Sequence, residues 1–571
     1  MLTIRLIGVP RLERDGAPIE PPRGAKTWAL LARIIRSDSP VSRQRLVEEL
    51  FPDADDPRGA LRWSLAELRR RTGLTDRFGG DPIDMDLGPG VVVDVDEIHD
   101  GGRFDTIPDG EFLEGINVRG APGFESWLLV ERQRVDGEIM SALRETTLRS
   151  ISSRSYDRAV DLANAMVRRS PYEESPHVLL IKALALSGDT DAAVRQVEAS
   201  ESVFRDELGV EPGPALRNAA RPSVAAAVPG VSSLASAQSM LRAGLAAVSS
   251  GAVDAGVECL RRACSDAADT GDEQLLASCL VELGTALVHS VRGYDDEGAV
   301  ILTDAVTAAS SSGDQLLAAK AVSELGYIDI MAGRRQSADT YLAEAESLAP
   351  GDVALEAAVA GFQAMNLSDW GREAEAVEYF EKALELATGA DLRRRRGWVL
   401  GLGARTFYNL ERYSEAEAWA RGSVDVADDE RWTAFRPWPE SWLAYIQLAQ
   451  GRDPLEVRAE AEATFALARQ LQDPCWEGVS ARVIGLTHAA TGDRDASLEW
   501  LESAGAWCMR VNDGYRWVET WIHLTEAQIE LEIGDHERAE SMARRAISES
   551  ASRQMDGLLA SGMEILAAVR T

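Results

Sequence analysis

The hexapeptide Glu411-Arg412-Tyr413-Ser414-Glu415-Ala416 is one copy of a pattern that decides the fold of most of the chain. A turn residue opens the pattern, and an alanine follows five positions later. Turn residues recur at spacings of 42, 40, 38, 40, 40, 41 and 42, namely Gly251, Gly293, Gly333, Gly371, Glu411, Gly451, Gly492 and Gly534. A period near 40 residues with helix–turn–helix character predicts an α-solenoid of tetratricopeptide-like repeats.

Small residues support this interpretation, because an alanine at the crossing of two helices lets their backbones approach closely. The alanines that lie five residues after a turn are Ala338, Ala376, Ala416 and Ala539. We predict about eight repeats over residues 234–571, with residues 557–570 as a capping helix.

The segment before the repeats, residues 222–233, consists of small residues and prolines, which is typical of a linker. Residues 97–221 are predicted to be helical throughout. A long helix begins near Phe124 and runs toward Leu148, and three shorter helices follow over residues 156–170, 176–186 and 192–208.

The first 96 residues have a different pattern. Leu2, Ile4 and Leu6 alternate as in a strand, and Asp15-Gly16 is a hairpin signal. Three short helices are then predicted, the second capped by Ser42 and the third spanning residues 58–71. A second hairpin is predicted over residues 83–95. Strands, three helices and a terminal hairpin predict a winged helix-turn-helix, so the whole chain is expected to be mainly α.

The third helix has two faces. On a helical wheel Leu61, Leu65 and Leu68 share one side, which is the expected core face. Arginines and a tryptophan face the opposite side, with Ser64 toward one edge. Glu67 is expected on or near the outward face, where it would repel phosphate unless it contacts cytosine or pairs with Arg71 at i,i+4. Arginine contacts guanine or phosphate, so this pattern is typical of a helix in the major groove of DNA. The candidate DNA-binding residues are Arg43, Arg45, Arg58, Arg62, Trp63, Ser64, Arg69 and Arg70.

The charge distribution favours the same segment. The chain has a net charge of −33, yet residues 1–77 hold 15 basic and 11 acidic side chains. All of the acidic excess therefore lies elsewhere, as expected for a DNA-binding head on an acidic body. The second hairpin opposes the interpretation, because its aspartates would repel phosphate. These are Asp84, Asp86, Asp94 and Asp96.

Several stretches resemble the antibiotic regulatory protein family of actinobacterial transcription activators. The matching pieces are residues 40–52, which resemble the second helix, and Ala60-Leu61-Arg62-Trp63-Ser64-Leu65-Ala66-Glu67-Leu68-Arg69-Arg70, which resembles the recognition helix. Residues 124–132 and Glu207-Leu208-Gly209-Val210-Glu211-Pro212-Gly213-Pro214 resemble the bacterial transcriptional activation domain. The resemblance covers residues 1–221 and implies a DNA-binding domain over 1–96, an all-α activation domain over 97–221, promoter direct repeats as the target and RNA polymerase as a partner.

The chain also departs from that family. Large members carry an ATPase module before their repeats, but no G-x-x-x-x-G-K-[ST] motif occurs here. The stretch Gly24-Ala25-Lys26-Thr27 has alanine where that motif needs glycine. We therefore expect a relative that lacks the ATPase module.

Aromatic residues concentrate in one part of the repeats: ten of the 14 tryptophans lie between Trp398 and Trp521. Two interpretations stand, a groove for a ligand or partner on the concave side, and ordinary packing between helices. The candidate groove residues are Trp398, Phe407, Tyr408, Trp438, Trp442, Trp476, Trp517 and Trp521. The run Arg393-Arg394-Arg395-Arg396 is either an anion site or a solvated helix face.

Other classes of protein find little support. The six histidines are scattered without a metalloprotease or nucleophile motif, so we expect no enzyme, cofactor or metal. Five cysteines without a C-x-x-C pair are typical of reduced core thiols. No stretch is long and apolar enough for a membrane span, and we expect a cytoplasmic, nucleoid-associated protein.

The function expected from the sequence is a sequence-specific transcription regulator whose repeats sense a small molecule, a peptide or a protein. The alternative is an interaction scaffold that binds no DNA, in which Trp63 would anchor a protein partner. The sequence leaves open whether the protein forms a homodimer.

Overall fold

The computed structural model describes residues 1–37, 39–84, 86–99, 107–213, 215–220, 233–249, 251–510 and 513–569. They form two compact units, Met1–Thr146 and Thr147–Thr571. Almost all of the predicted linker 222–233 lies outside the described residues. No helix within the described ranges is both long and apolar enough to cross a membrane.

The first unit contains a four-stranded sheet in the order β3-β2-β1-β4. Its strands are β1 Leu2–Arg5, β2 Arg11–Arg14, β3 Ala17–Ile19 and β4 Val91–Val93. The predicted hairpin turn at Asp15-Gly16 is confirmed: both residues have positive φ, 50° and 81°, as a tight turn between antiparallel strands requires. Ile4 and Leu12 face the core and are fully buried.

Five helices complete this part of the chain: α1 Ala25–Ile35, α2 Arg43–Leu50, α3 Pro57–Thr72, α4 Asp94–His99 and α5 Pro122–Ser152. Two predicted helix ends are confirmed. The Ser42 hydroxyl accepts a hydrogen bond from the Arg45 backbone N–H at 3.2 Å and caps α2. Gly73 ends α3 in the left-handed conformation, φ 74°.

The second predicted hairpin, over residues 83–95, is wrong. Val91–Val93 instead pairs in parallel with β1, and Ile83 makes an isolated bridge to Val41. Asp94 explains the difference: its carboxylate is buried and accepts the backbone N–H groups of Leu6 and Ile7 at 2.8 to 3.1 Å. This aspartate therefore caps the end of β1 and is not part of an acidic wing.

The second unit consists of helices connected by short turns. Its first four complete helices are α6 Tyr156–Arg169, α7 Glu174–Ser187, α8 Thr190–Leu208 and α9 Ala215–Ala219. The inner-row helices of the following repeats are α10 Leu234–Ser249, α12 Glu273–Ser290, α14 Gln315–Ala332, α16 Val353–Trp370, α18 Arg393–Asn409, α20 Pro437–Ala449, α22 Pro474–Ala490 and α24 Arg516–Ile533. Their partners are α11 Val253–Thr270, α13 Asp295–Ser312, α15 Arg335–Leu348, α17 Glu373–Gly389, α19 Tyr413–Asp429, α21 Pro454–Leu471, α23 Arg494–Cys508 and α25 His536–Ser552, followed by α26 Asp556–Val569.

The predicted solenoid is confirmed as eight helical hairpins and one terminal helix. All eight predicted turn residues have positive φ, including Glu411 at 60°. The predicted small positions are also confirmed, because Ala338, Ala376 and Ala416 are fully buried between paired helices. The repeat spacing in the sequence thus correctly predicted both the number of helical hairpins and the positions of their turns.

Candidate nucleic-acid interface and the interior of the repeats

The outward face of α3 is the candidate nucleic-acid interface. Arg58, Arg62, Ala66 and Arg70 follow one another at intervals of four residues and are all exposed. Such spacing places them in one row along the helix. Opposite this row Leu61, Leu65 and Leu68 are buried against the rest of the unit, as predicted.

Trp63 lies beside that row with 55% of its surface exposed. Exposure of so large an aromatic surface to water is unfavourable. An exposed tryptophan beside cations is therefore typical of a residue that contacts a binding partner. Arg62 is held only loosely: its Nη2 atom lies 3.6 Å from a carboxylate oxygen of Asp56, and both side chains are about two-thirds exposed. A phosphate can replace such a pair at little cost, since exposed ion pairs contribute little.

The outward position expected for Glu67 is wrong, whereas its alternative pairing with Arg71 at i,i+4 is confirmed. Its side chain is buried and does not face outward. Arg71 donates to it at 2.9 Å, Arg70 also pairs with it, and the Arg23 backbone N–H donates at 3.3 Å. The hydrogen bond from Arg71, supported by Arg70, lowers the pKa of Glu67 to about 2. Glu67 therefore fixes the arginines of the last turn of α3 and would not repel phosphate.

Two further candidate residues do not face outward. Ser64 is buried, because its position on the helix turns toward the core. Arg69 folds back and donates to the carbonyl oxygens of Arg77 and Phe78 at 2.9 and 2.5 Å, which closes the loop after α3. Neither side chain is available to DNA in this arrangement.

The two candidates on α2 have local partners. The Arg43 Nε donates to the Gly80 carbonyl at 2.7 Å. The Arg45 Nε donates to Glu49 at 2.7 Å, but Arg45 is still 64% exposed. The structure therefore brings Arg58, Arg62, Trp63 and Arg70 together on α3, with Arg45 exposed on α2.

The eight aromatic residues predicted to line a groove in the repeats occupy a different environment. Half of them are buried in a continuous core, namely Phe407, Trp438, Trp442 and Trp517. The other four are partly buried and pack against it, namely Trp398, Tyr408, Trp476 and Trp521. Packing between helices therefore accounts for the four buried residues, and the other four keep part of their surface exposed.

The physical reason is that the repeats curl onto themselves. The Arg292 side chain, at the turn between α12 and α13, contacts Asp473 with an Nη2–Oδ2 distance of 2.7 Å. Asp513 accepts the backbone N–H groups of Gly293 and Tyr294 at 2.5 and 3.1 Å. Early and late repeats therefore meet, and their inner surfaces bury one another.

A buried ionic network lies where these surfaces meet. Asp369 accepts from Arg335 at 3.0 Å, from Arg405 at 2.5 Å and from the Tyr515 hydroxyl at 2.7 Å. The Arg405 guanidinium also lies 4.1 Å from the ring centre of Trp517. Two buried cations share one carboxylate here, and no pattern in the sequence signalled that these distant residues would meet.

One cluster has the side chains of a metal site. The ligand atoms of Glu519, His523 and Glu549 all lie within 4.8 Å of one another. However, Arg516 pairs with Glu519 at 3.2 Å and Arg545 pairs with Glu549 at 3.0 Å. These arginines neutralise the carboxylates, so the cluster is an ion-pair network within the repeats.

Comparison with known proteins identifies two segments. Residues 109–222 match the family model of the bacterial transcriptional activator domain, and residues 360–388 match a tetratricopeptide repeat. The chain therefore carries a transcriptional activator domain and tetratricopeptide repeats. A search of curated proteins gives no match.

Solved structures give only distant similarities. A Rap protein complexed with competence and sporulation factor is 14% identical, with a TM-score of 0.39, over 58% of this chain and 85% of that one. EmbR from Mycobacterium tuberculosis, in complex with a low-affinity phosphopeptide, is 19% identical, with a TM-score of 0.30, over 38% and 64%. A signal transduction ATPase with a tetratricopeptide repeat sensor, from Pyrococcus horikoshii, is 14% identical, with a TM-score of 0.39, over 99% and 86%. At this level the similarities carry no functional argument.

Proposed function

We propose that the protein is a transcription regulator that binds double-stranded DNA through the outward face of α3. The observation that carries this proposal is the exposed row Arg58, Arg62 and Arg70 beside Trp63, on a helix whose opposite side is buried. A cationic helix that follows a shorter helix and a turn has the form of a recognition helix that enters the major groove.

Each exposed side chain of α3 has a distinct role in this proposal. Arg62, near the middle of the row, donates to guanine O6 and N7, because a guanidinium matches that pair of acceptors. Arg58 and Arg70, toward the two ends, neutralise phosphates and set the position of the helix. Trp63 packs on a deoxyribose or a thymine methyl group.

The acidic residues near α3 limit the proposed footprint. Asp84 and Asp86 are exposed in the loop before β4, and Asp86 already pairs with Arg77 at 3.0 Å. Phosphate would be repelled there, so the proposed contact is confined to α3 and the exposed end of α2, where Arg45 lies.

The segment that matches the activator domain, residues 109–222, follows α4 in the chain, which supports activation as the outcome of binding. We propose that it contacts RNA polymerase at promoters with direct repeats, as the resemblance of residues 1–221 implies. The tetratricopeptide repeats add a surface for a protein or ligand partner. The protein is in this view a regulator and not an enzyme.

The test is selection from random double-stranded DNA with the full chain. We expect an enriched sequence that contains guanine, and we expect Arg62→Ala to relax the preference at one position by about 1–3 kcal/mol. Arg262→Ala is the matched control, because that arginine is 66% exposed on a repeat helix. If no sequence is enriched, the proposal fails and the interaction scaffold is favoured.

A further inference from the structure

The run Arg393-Arg394-Arg395-Arg396 contains one residue that behaves unlike its neighbours. Arg393 and Arg394 are 62% and 57% exposed and lie near Glu430, and Arg396 is exposed as well. Arg395 is only partly exposed. Because successive residues of a helix point about 100° apart, one member of such a run turns toward the interior of the repeats.

Arg395 has aromatic neighbours but no anionic partner in contact. Its guanidinium carbon lies 5.1 Å from the ring centre of Phe362 and 5.5 Å from that of Trp398. Within the described part of the chain it makes no hydrogen bond and no ion pair within 4.0 Å. Burial lowers the pKa of Arg395, and the charge of Glu324 opposes this effect. The nitrogen atoms of Arg395 are not among the buried unpartnered atoms of the described residues, so its N–H donors are open to solvent and to an incoming acceptor.

Aromatic rings from four successive inner helices extend from this arginine. His289 of α12 lies 4.7 Å from Tyr327 of α14, measured between ring centres. Tyr327 lies 5.0 Å from Phe362 of α16, and Phe362 lies 5.5 Å from Trp398 of α18. The four rings therefore form one row that ends at Arg395, in which Phe362 is buried and the other three rings are partly exposed.

Three members of this row keep part of their surface exposed, unlike the four buried aromatic residues of the core described above. His289 is 36% exposed at its side chain, and Tyr327 and Trp398 are both partly exposed. The repeats nevertheless close around this region, since Arg292 next to His289 is tied to Asp473 of a later repeat. Exposed ring surface inside a curled solenoid is available to a ligand and is poorly accessible to large partners.

The nearby carboxylate has its own partner. Glu324 lies 2.6 Å from the His289 Nε2, so its charge is engaged at the far end of the row. It is not within ion-pair distance of Arg395, whose positive charge remains available for an incoming anion.

We propose that His289, Glu324, Tyr327, Phe362, Arg395 and Trp398 form a binding site for a small aromatic carboxylate. The carboxylate accepts two hydrogen bonds from the Arg395 guanidinium, which suits a planar bidentate pair. The flat apolar body of the ligand packs along the row of rings, as in ligand sites where a few polar groups fix orientation within an apolar lining.

The electrostatics of the chain support an anionic ligand at this place. The protein carries a net charge of −33, so its outer surface repels anions. Arg395, which is near Glu324 but has no ion-pair partner in contact among the described residues, is a local exception. In a site of low polarity its attraction for a carboxylate exceeds the same attraction in water.

The experiment is calorimetric titration of the full chain with 1-naphthoate and with its uncharged analogue 1-naphthamide. We expect saturable binding of naphthoate, at least about tenfold tighter than naphthamide, because the amide cannot form the charged bidentate pair. This comparison uses the unaltered protein and so does not depend on the folding of any variant.

Two variants then locate the site. Arg395→Ala is expected to weaken naphthoate binding about tenfold or more, and Arg395→Lys to recover part of the loss. Arg396→Ala is the matched control, since it removes the adjacent but exposed arginine, and it should bind within about twofold of the unaltered protein.

Three results would overturn the proposal. They are the absence of naphthoate binding up to millimolar concentration, equal binding of naphthoate and naphthamide, and equal effects of Arg395→Ala and Arg396→Ala with circular dichroism showing both variants folded. The first two results overturn the proposal even if Arg395→Ala does not fold, because they are measured on the unaltered protein. None of these outcomes bears on DNA binding by α3.

Discussion

Arginine and tryptophan occur both on the outer face of α3 and in the interior of the repeats, where their surroundings give them opposite roles. On α3, Arg62 and Trp63 are exposed, and Arg62 is only loosely paired with Asp56. In the repeats, Arg405 and Trp438 are buried within the core. Exposed side chains contribute little to folding stability and are accessible to a binding partner. Buried side chains contribute to folding stability and are not accessible to a partner.

The largest effect in this comparison is expected from the buried carboxylate. Asp369→Ala leaves the Arg335 and Arg405 guanidinium groups without a counter-charge, so we expect the second unit to lose about 3–5 kcal/mol of unfolding free energy. Urea denaturation followed by circular dichroism measures the change.

Asp425→Ala is the control for this prediction, because Asp425 is exposed on α19. It should change stability by less than about 0.5 kcal/mol. If the two variants lose the same stability, the buried network does not hold the repeats together.

The buried Trp438 and the exposed Trp63 are expected to respond differently to substitution. Trp438→Ala removes a side chain that is 1% exposed and whose indole N–H donates to the Gly401 carbonyl at 2.9 Å. We expect a loss of about 3 kcal/mol from the cavity and the lost hydrogen bond. Trp63→Ala should change stability by less than about 0.5 kcal/mol but weaken DNA binding. A large loss of stability in Trp63→Ala would contradict the assignment of that ring as a contact residue.

A smaller effect is expected at Glu67, the one buried anion of α3. Glu67→Gln weakens the hydrogen bonds from Arg70 and Arg71. We expect the backbone amides of α3 to lose about 1–3 kcal/mol of protection against hydrogen exchange. Hydrogen exchange of peptides from α3 in the full chain measures it.

The pH dependence of Glu67 has a defined sign. Its pKa is lowered to about 2 from an ordinary value of 4.5, so its contribution to stability is complete above pH 4.5 and is lost as the pH falls toward 2. The difference between the unaltered protein and Glu67→Gln should therefore shrink on acidification. A difference that grows as the pH falls would show that the carboxylate is not held by the arginines.

Local signals in the sequence predicted the helices well. Turn residues and alanines at a period near 40 correspond to backbone conformations that the structure contains, such as the positive φ of 60° at Glu411. The leucine stripe of α3 likewise predicted its buried side. Such features are encoded within a few residues of each other, and the sequence alone therefore determines them.

Features that depend on distant residues were not predictable in this way. The wheel position of Glu67 does not show that Arg23 lies above it, and the alternation of residues 83–95 does not show that β4 pairs with β1. The repeat period also says nothing about curvature. Without the curvature, a groove and ordinary packing could not be distinguished for the eight aromatic residues. Four of them lie in a packed core.

The most direct test of DNA binding by α3 is the salt dependence of binding by the full chain and by its Arg58→Ala/Arg70→Ala variant, which lacks the two proposed phosphate contacts. We expect log K to fall steeply with log salt concentration, and we expect the double variant to make this slope shallower by about two. Arg262→Ala/Arg544→Ala, which removes two exposed arginines of the repeats, should leave the slope unchanged. Equal slopes and affinities for the unaltered protein and the α3 variant would contradict DNA binding by this helix.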